Sequence, residues 1–281
     1  MNRKKQSNKI ALVTGASSGI GLATAELLTS AGYKVYGTSR RGGGASGRSF
    51  EMLTLDVTSD VSVADAVTQL MQREGRIDLL INNAGFGVAP AGAEESSIEQ
   101  AQAIFDTNFF GIVRMTRAVL PHMRLQGAGR IINIGSVLGL LPMLYGALYA
   151  ATKHAIEGYS ESLDHELRTR GIRVSVIEPA YTNTPFDANF MQPDAKLDAY
   201  REARAAVSQR VKEVMATADQ PGVVAETVLK AARAAHPRLR YTAGGLAGRL
   251  TWLRRFAPAA VMDAGIRRDL RLDATSAVTA S

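Results

Sequence analysis

Short apolar runs alternate along the chain with longer stretches of helical periodicity. Uniformly apolar runs of about four to eight residues are typical of strands buried on both faces of a sheet. Seven such runs predict strands at residues 10–13, 33–39, 51–55, 77–81, 130–134, 172–177 and 238–242. Helices are predicted over residues 21–30, 61–73, 98–125, 149–170 and 220–235, with a kink at Pro121. This alternation predicts an α/β fold, a Rossmann-like doubly wound parallel sheet in three α/β/α layers.

The pattern has no internal break, so we predict a single domain over residues 9–245. Residues 1–8 are polar and basic and predict a flexible N-terminus. Within the domain, the looser pattern of residues 185–216 predicts a partly helical insertion. Residues 246–281 predict a basic helical extension with a disordered end.

Composition excludes several kinds of site. Of the 281 residues, 46% are hydrophobic and 21% charged, as in ordinary soluble globular proteins. The absence of Cys excludes disulfides, a thiol nucleophile and thiolate metal sites, and the 4 His show no metal-ligand spacing, so we predict no metal. The N-terminus lacks the apolar region of a signal peptide, and no run approaches the ~20 apolar residues of a membrane span. We therefore predict a cytoplasmic protein.

The net charge of +7 alone would suit a nucleic acid, an anionic membrane or an anionic cofactor as a partner. A glycine-rich turn after the first strand favours the anionic cofactor. No nucleic-acid-binding motif is present, and we predict no such partner. Gly15, Gly19 and Gly21 would let the backbone approach a pyrophosphate at the helix N-terminus. The other contacts predicted in this turn are Ser17, Ser18 and Ile20. A plain structural turn is the alternative.

The second strand ends in Ser39 and Arg40, at the place where an acidic residue would hold a ribose 2′-hydroxyl. A guanidinium suits a 2′-phosphate instead, so we predict NADP(H) in preference to NAD(H), with Arg40 as the main contact and Ser39 as a hydroxyl donor. A solvated surface charge is the alternative for Arg40.

Two further strand ends carry residues that suit such a cofactor. Asp56 and Val57 are predicted beside the adenine, although Asp56 also suits a turn cap. After the fourth strand, Asn83 can tie loops together, and Gly85 leaves room for a ribose. Asn82 fits a structural role as well as a ligand contact.

Ser136 ends the fifth strand, and Tyr149 and Lys153 follow one loop later. Their spacing of four places the phenol and the ammonium on one helix face, where Lys153 would lower the pKa of the phenol. Because the carboxyl ends of parallel strands meet at one edge, Ser136 and Pro179 are expected near the glycine turn. Together these residues predict a proton-transfer site, whereas Tyr149 and Lys153 alone would fit a chance pair on a solvated helix.

These motifs resemble those of the classical short-chain dehydrogenase/reductase family. The matching segments are residues 14–21 (Thr-Gly-x-x-x-Gly-x-Gly), 82–85 (Asn-Asn-Ala-Gly) and 149–153 (Tyr-x-x-x-Lys), with Ser136 thirteen residues upstream of Tyr149. The resemblance covers residues 9–184 and identifies the predicted domain as an NADP(H)-binding catalytic domain.

The resemblance also implies a mechanism. Tyr149 would be the general acid in carbonyl reduction or the base in alcohol oxidation, and Ser136 would donate to the carbonyl oxygen. Lys153 would lower the phenol pKa and hold the nicotinamide ribose, and Asn108 would support a proton relay. The family's contacts to the nicotinamide fall on Pro179, Thr182 and Thr184. One departure is Ala180 in place of the usual Gly, because Ala adopts glycine's backbone angles less cheaply.

Apolar residues near this edge indicate the substrate. Leu138, Phe186 and Phe190 are predicted to line its pocket together with Ser136 and Tyr149. They suit a lipophilic ketone, aldehyde or alcohol of steroid, retinol or aliphatic type, although core packing or a subunit contact is equally compatible. We predict an NADP(H)-dependent alcohol dehydrogenase or carbonyl reductase that forms a homodimer or homotetramer. A non-catalytic NADP(H)-binding regulator on the same fold is the alternative.

The C-terminal extension combines apolar residues at helical spacing with many arginines. Leu246, Leu250 and Leu253 repeat beside Trp252, and the arginines between them are Arg249, Arg254 and Arg255. Two interpretations stay open. The extension is a basic amphipathic helix on an anionic membrane, or it packs on the domain or on a second subunit.

Overall fold

Seven parallel strands form one continuous sheet in the computed structural model, which describes residues 9–42, 47–186 and 190–270. The strands are β1 (Ile10–Val13), β2 (Lys34–Ser39), β3 (Glu51–Thr54), β4 (Leu79–Asn82), β5 (Gly129–Ile134), β6 (Ile172–Pro179) and β7 (Arg240–Ala243). They lie in the order β3-β2-β1-β4-β5-β6-β7, and neighbouring strands are parallel. The order reverses between β1 and β4, which opens a crevice at the carboxyl edge of the sheet. The predicted doubly wound parallel sheet is confirmed.

Helices cover both faces of this sheet. They are α1 (Gly19–Ser30), α2 (Asp60–Glu74), α3 (Ile98–Phe105), α4 (Gly111–Gln126), α5 (Ala147–Leu167), α6 (Arg201–Met215), α7 (Pro221–Arg233), α8 (Gly245–Phe256) and α9 (Ala259–Asp269). Ile10 and Leu12 of β1 belong to the core shared with α2 and α4, whereas Ala11 and Val13 belong to the core shared with α1 and α7. Burial on both faces explains why the β1 sequence is apolar throughout.

A π-helical turn, Asp106–Phe110, joins α3 to α4. Such turns frequently occur at functional sites, and this one buries Asn108. Pro121, at which the sequence predicts a kink, lies inside α4. The π-helical turn is a departure from α-helical geometry within a stretch whose sequence keeps helical periodicity.

The segment predicted as an insertion over residues 185–216 contains α6, which a buried carboxylate holds to the rest of the protein. Glu95 is fully buried and accepts hydrogen bonds from the backbone N–H groups of Gly92 (2.6 Å) and Leu197 (2.7 Å). It also accepts from the guanidinium of Arg204 on α6, which is itself largely buried. The carboxylate thus ties the insertion to the loop after β4.

Glu95→Ala is expected to lower the free energy of unfolding by about 3 kcal/mol, because it leaves the Arg204 guanidinium buried without its carboxylate. The neighbouring Glu94 is exposed and accepts from the hydroxyl of Tyr200, so Glu94→Ala is a matched control that should cost less than about 1 kcal/mol. Urea unfolding of both variants measures the difference. Equal losses would show that the buried pair does not hold the insertion.

The C-terminal extension packs on the domain through one face. Ala247 of α8 is fully buried in a cluster with Val137 and Leu141, and the end of α9 packs against α6. None of the described helices is both long and apolar enough to cross a membrane. Residues 1–8 and 271–281, where a flexible N-terminus and a disordered end are predicted, lie outside the described residues.

Candidate active site

The turn between β1 and α1 contains glycines that residues with side chains could not replace without strain. Gly19 has a φ of 56°, in the left-handed region that favours glycine. A Cβ at Gly21 would lie 2.3 Å from the carbonyl oxygen of Gly15, which is backbone and cannot move aside. Glycine is therefore required here for the close packing of the turn on the helix.

The N-terminus of α1 is suited to an anionic group. Its N-cap residue, Ser18, makes no side-chain capping hydrogen bond, and the first turn has no acidic residue. In contrast, Ser59 and Ser97 cap α2 and α3 through their hydroxyls. The first N–H groups of a helix have no intrahelical partner, and at α1 the Ser18 side chain does not cap them. Together with the exposed Ser17 and Ser18, they fit the pyrophosphate of a dinucleotide.

Side-chain hydrogen bonds join this turn to the end of β4. The Thr14 hydroxyl accepts from the backbone N–H groups of Asn83 (2.9 Å) and Ala84 (3.0 Å). The Asn83 amide donates to the carbonyl oxygens of Thr14 (3.0 Å) and Gly15 (3.1 Å). Asn83 therefore supports the turn, as expected of a residue that ties loops together. Gly85 is exposed at the same strand end.

Asn82 has the structural role that the sequence left open. Its buried side-chain amide donates to the side-chain oxygen of Asn133 at 2.8 Å, and Asn133 donates to the hydroxyl of Ser160 at 2.9 Å. This chain of hydrogen bonds links β4, β5 and α5 beneath the crevice.

The end of β2 presents the predicted guanidinium and a second one that sequence reasoning missed. Arg40 is exposed, and the Ser39 hydroxyl donates to the carbonyl oxygen of Gly42 at 3.2 Å. The guanidinium of Arg48 donates to the carbonyl oxygen of Ser17 in the glycine turn at 3.3 Å and lies 5.9 Å from the ring centroid of Phe50. Arg48 ends the basic, glycine-rich loop after Arg40, and only the fold brings it back to the turn.

The predicted adenine contacts are more structural than expected. A side-chain oxygen of Asp56 accepts from the backbone N–H (3.0 Å) and the hydroxyl (2.7 Å) of Thr58, so Asp56 caps a turn. The Thr58 backbone N–H is the main cause that lowers the Asp56 pKa, and Arg40 and Arg114 lower it further. Val57 is buried, with its side chain against Gly111.

Ser136, Tyr149 and Lys153 meet at the carboxyl end of β5. The Ser136 hydroxyl accepts from the backbone N–H of Leu138 (3.1 Å) and donates to the carbonyl oxygen of Pro179 (3.4 Å). The Lys153 ammonium donates to the carbonyl oxygen of Ile134 at 3.0 Å and lies 5.4 Å from the ring centroid of Tyr149. Lys153 thus lies beside Tyr149 at the end of the strand that Ser136 follows, and the roles predicted for the three side chains stay predictions.

Burial is the main cause of the pKa shifts of the Tyr149–Lys153 pair. Burial raises the pKa of the Tyr149 phenol above its ordinary value. Burial also lowers the pKa of Lys153 to about 8, against the opposing effect of Glu157. Burial is thus the cause of the raised phenol pKa, and the lowering effect of Lys153 stays a prediction. The phenol is protonated at neutral pH, as a proton donor must be.

Asn108 is fixed by both sides of its amide. Its oxygen accepts from the backbone N–H of Phe86 at 3.0 Å, and its NH₂ donates to the carbonyl oxygen of Phe86 at 2.9 Å. The NH₂ also lies 3.4 Å from the hydroxyl of Thr152, which donates to the carbonyl oxygen of Tyr149 at 2.7 Å. The π-helical turn is thereby connected to the helix that carries Tyr149 and Lys153.

Aromatic rings cover the open side of Tyr149. The ring centroid of Phe186 lies 6.0 Å from that of Tyr149, and that of Phe190 lies 5.6 Å from Phe186. A Cβ at Gly87 would lie 2.6 Å from the ring of Phe190, so the chain after β4 passes close beneath the pair. Leu138 packs separately, against the buried cluster of Val137, Leu141 and Ala247.

The segment after β6 reaches back to the glycine turn. A Cβ at Gly19 would lie 3.2 Å from the side chain of Thr184, while the Thr182 hydroxyl donates to the carbonyl oxygen of Ala180 at 3.4 Å. Among the described non-glycine residues, only Tyr145 has a positive φ, so Ala180 needs no glycine-like backbone. Its methyl group packs in the cluster with Val137 and Ala247.

A family model described as "short chain dehydrogenase" matches residues 9–195 of this chain. The chain belongs to the short-chain dehydrogenase family. It is 45% identical over 181 residues to a 3-ketodihydrosphingosine reductase of Bacteroides thetaiotaomicron, covering 64% of this chain and 66% of that protein. It is 34% identical over 250 residues to retinol dehydrogenase 8 of Bos taurus, covering 82% and 79%. A short-chain dehydrogenase structure from Streptomyces avermitilis has a TM-score of 0.77 at 31% identity, covering 97% and 99%.

Behind the site, this short-chain dehydrogenase has two buried carboxylates that sequence reasoning missed. Glu157, one helical turn after Lys153, accepts from Arg240 at 2.9 Å. Glu178 is fully buried at the end of β6, 3.6 Å from the same guanidinium, and among the described residues neither of its carboxylate oxygens has a hydrogen-bond partner. Burial raises the pKa of both groups, that of Glu178 to about 7, with the Glu157 charge adding to the effect.

Glu178 should make the free energy of unfolding fall as pH rises. Its pKa is higher in the folded protein than in the unfolded chain, so its contribution is complete below about pH 4.5 and is lost as pH rises through about 7. Between pH 5 and pH 8, the free energy of unfolding should therefore fall by about 1–3 kcal/mol less in Glu178→Gln than in the wild type.

Urea unfolding of the wild type and Glu178→Gln at both pH values measures the effect. Glu161 binds the same Arg240 but is half exposed, which makes Glu161→Gln the matched control with a wild-type pH dependence. A pH dependence in Glu178→Gln equal to that of the wild type would contradict the assignment of a protonated buried carboxyl.

Proposed function

We propose that this short-chain dehydrogenase is an NADP(H)-dependent oxidoreductase that interconverts a lipophilic ketone or aldehyde and the corresponding alcohol. The observation that carries the proposal is the position of the Tyr149 ring, whose centroid lies 5.4 Å from the Lys153 ammonium and 6.0 Å from the ring centroid of Phe186. A protonated phenol beside an apolar wall suits proton transfer to the oxygen of a lipophilic carbonyl compound. Relatives named for 3-ketodihydrosphingosine and for retinol support a substrate of this kind.

Each side chain of the site has a distinct task. In reduction, Tyr149 gives its phenolic proton to the substrate oxygen, and in oxidation it takes a proton from the alcohol. Ser136 turns its hydroxyl from the carbonyl oxygen of Pro179 to the substrate oxygen and stabilises the charge that develops there. Lys153 restores the phenol proton, and Asn108 holds the π-helical turn through which a water relay reaches Lys153.

The residues around the crevice fit NADP(H), which when bound supplies or accepts the hydride. The uncapped N-terminus of α1 suits its pyrophosphate, and Arg40 and Arg48 suit its 2′-phosphate. The residues that would hold it are Gly15, Ser17, Ser18, Gly19, Ile20, Gly21, Ser39, Arg40, Asp56, Val57, Asn83, Gly85, Tyr149, Lys153, Pro179, Thr182 and Thr184.

We also propose a homodimer or homotetramer. Ile98 and Phe110, at the two ends of the α3 and π-helical segment, are large apolar residues that remain exposed on the single chain. Burial of such a surface against a second copy would stabilise an assembly. Light scattering of the purified protein measures its mass, and a monomer at assay concentration would contradict the proposal.

A substrate screen tests the activity. NADPH consumption and product formation are measured over steroid, retinoid, aliphatic and quinone-type carbonyl compounds, with polar sugars as the comparison. We expect alcohol formation equal to NADPH consumption for at least one lipophilic class and little turnover of the sugars. NADPH binding without turnover of any carbonyl compound would favour a regulator on the same fold.

A further inference from the structure

α8 has an outward face with large apolar side chains. Trp252 and Phe256 are each 61% exposed, and their ring centroids lie 5.5 Å apart. The spacing of four residues places them on one side of the helix. Leu253 and, in the first turn of α9, Val261 are also exposed. We call these four residues the aromatic patch. Exposed apolar patches of this kind mark interaction surfaces.

The charge around the aromatic patch indicates the partner. The helices from Gly245 to Asp269 contain five Arg and two Asp, a net charge of +3. Arg249, Arg254 and Arg255 are exposed on α8 itself, and the Arg255 guanidinium lies 5.6 Å from the ring centroid of Phe256. Arginines that flank exposed aromatic residues on a helix match the anionic headgroups and the apolar boundary of a bilayer surface. Trp in particular favours this boundary, because its ring is apolar and its N–H is polar.

We propose that the aromatic patch and the arginines around it dock this protein on an anionic lipid bilayer. The opposite face of α8 is already occupied, since Ala247 and Leu250 pack against the domain. The two interpretations of the extension are therefore compatible, because one face packs on the domain and the other is available to a membrane. The bilayer is bound at its surface, with α8 lying in the interface.

Docking would bring the bilayer close to the active-site edge. Leu250 of α8 and Leu138, which lies two residues after Ser136, pack against the same buried cluster, and Arg254 donates to the carbonyl oxygen of Leu140 at 3.0 Å. A lipophilic substrate could then pass from the bilayer to the pocket without crossing water. This consequence rests on the proposed function, whereas the docking itself does not.

The single Trp of the chain, Trp252, reports directly on docking. The full chain is mixed, without any carbonyl substrate, with phosphatidylcholine vesicles that contain or lack phosphatidylserine. We expect the Trp252 emission to shift to the blue and to be quenched by brominated lipid only with phosphatidylserine vesicles. Added salt should reverse the shift, because exposed charges are screened. An unchanged emission with phosphatidylserine vesicles would overturn the proposal.

Variants that keep Trp252 separate the aromatic patch from the rest of the surface. Leu253→Ser/Phe256→Ser and, separately, Arg249→Glu/Arg255→Glu should each weaken vesicle binding at least about tenfold. Val61→Ser/Leu125→Ser removes two exposed apolar residues elsewhere and should bind as the wild type does. Wild-type binding by either patch variant would overturn the proposal. So would loss of an oligomer in Leu253→Ser/Phe256→Ser, measured by light scattering, because a second copy would then cover the patch.

Discussion

Tyr149→Phe is expected to lower kcat/KM for carbonyl reduction by about 10³-fold or more, because it removes the proton donor and keeps the ring. The ring still packs against Phe186, so neither the pocket wall nor the fold changes. NADPH affinity should stay within about twofold, since the variant loses one hydroxyl among many contacts. Steady-state kinetics and a fluorescence titration with NADPH measure the two quantities.

Tyr159 provides the matched control for this variant. It lies on the same helix, α5, and its ring packs edge-on against Phe109 with centroids 5.8 Å apart, away from Lys153. Tyr159→Phe removes the same atom and should change kcat/KM by no more than about threefold. Similar kcat/KM values for Tyr149→Phe and Tyr159→Phe would mean that another group gives the proton.

Arg40→Asp is expected to reverse the cofactor preference, with the ratio of kcat/KM for NADPH to that for NADH falling by about 10²- to 10³-fold. The change removes a guanidinium suited to the 2′-phosphate and supplies a carboxylate that repels it and can hold a ribose 2′-hydroxyl. Steady-state kinetics with both cofactors measure the ratio.

Arg41→Asp is the control for charge alone. Arg41 is the next residue, is equally exposed and gives the same change in net charge. Its substitution should change the ratio by less than about tenfold, because a solvated charge near the site acts only through screened attraction. If Arg41→Asp and Arg40→Asp shifted the ratio equally, Arg40 would contribute only to the general positive field.

The fold could be predicted from sequence because the apolar sequences of the strands indicate burial on both faces of the sheet. Ile10 to Val13 is apolar at every position, and the structure places alternate residues in the two cores. The π-helical turn at Asp106–Phe110 could not be predicted from sequence, because helical periodicity continues through it. Its geometry depends on contacts from Asn108 to Phe86 and to α5, which are distant in sequence.

Site residues that belong to a sequence motif could be predicted. Properties that depend on the folded surroundings of a residue could not. The spacing of Tyr149 and Lys153 and the parallel topology are enough to predict that both lie near the end of β5, which Ser136 follows. The rise in the Tyr149 pKa by burial could not be predicted from sequence, since the desolvation that causes it comes from the surrounding structure. Arg48 and Glu178 were missed for the same reason: one reaches the glycine turn only through the fold, and the other looks like an ordinary polar strand end.

Transfer of an isotopic label tests most directly whether this short-chain dehydrogenase reduces carbonyl compounds with NADPH. NADPH that carries deuterium at the transferable position of its nicotinamide is supplied with a lipophilic ketone, and the alcohol is analysed by mass spectrometry. We predict that the alcohol carries the deuterium on its carbinol carbon, in an amount equal to the NADPH consumed. Unlabelled alcohol, or NADPH oxidation without alcohol, would contradict the account.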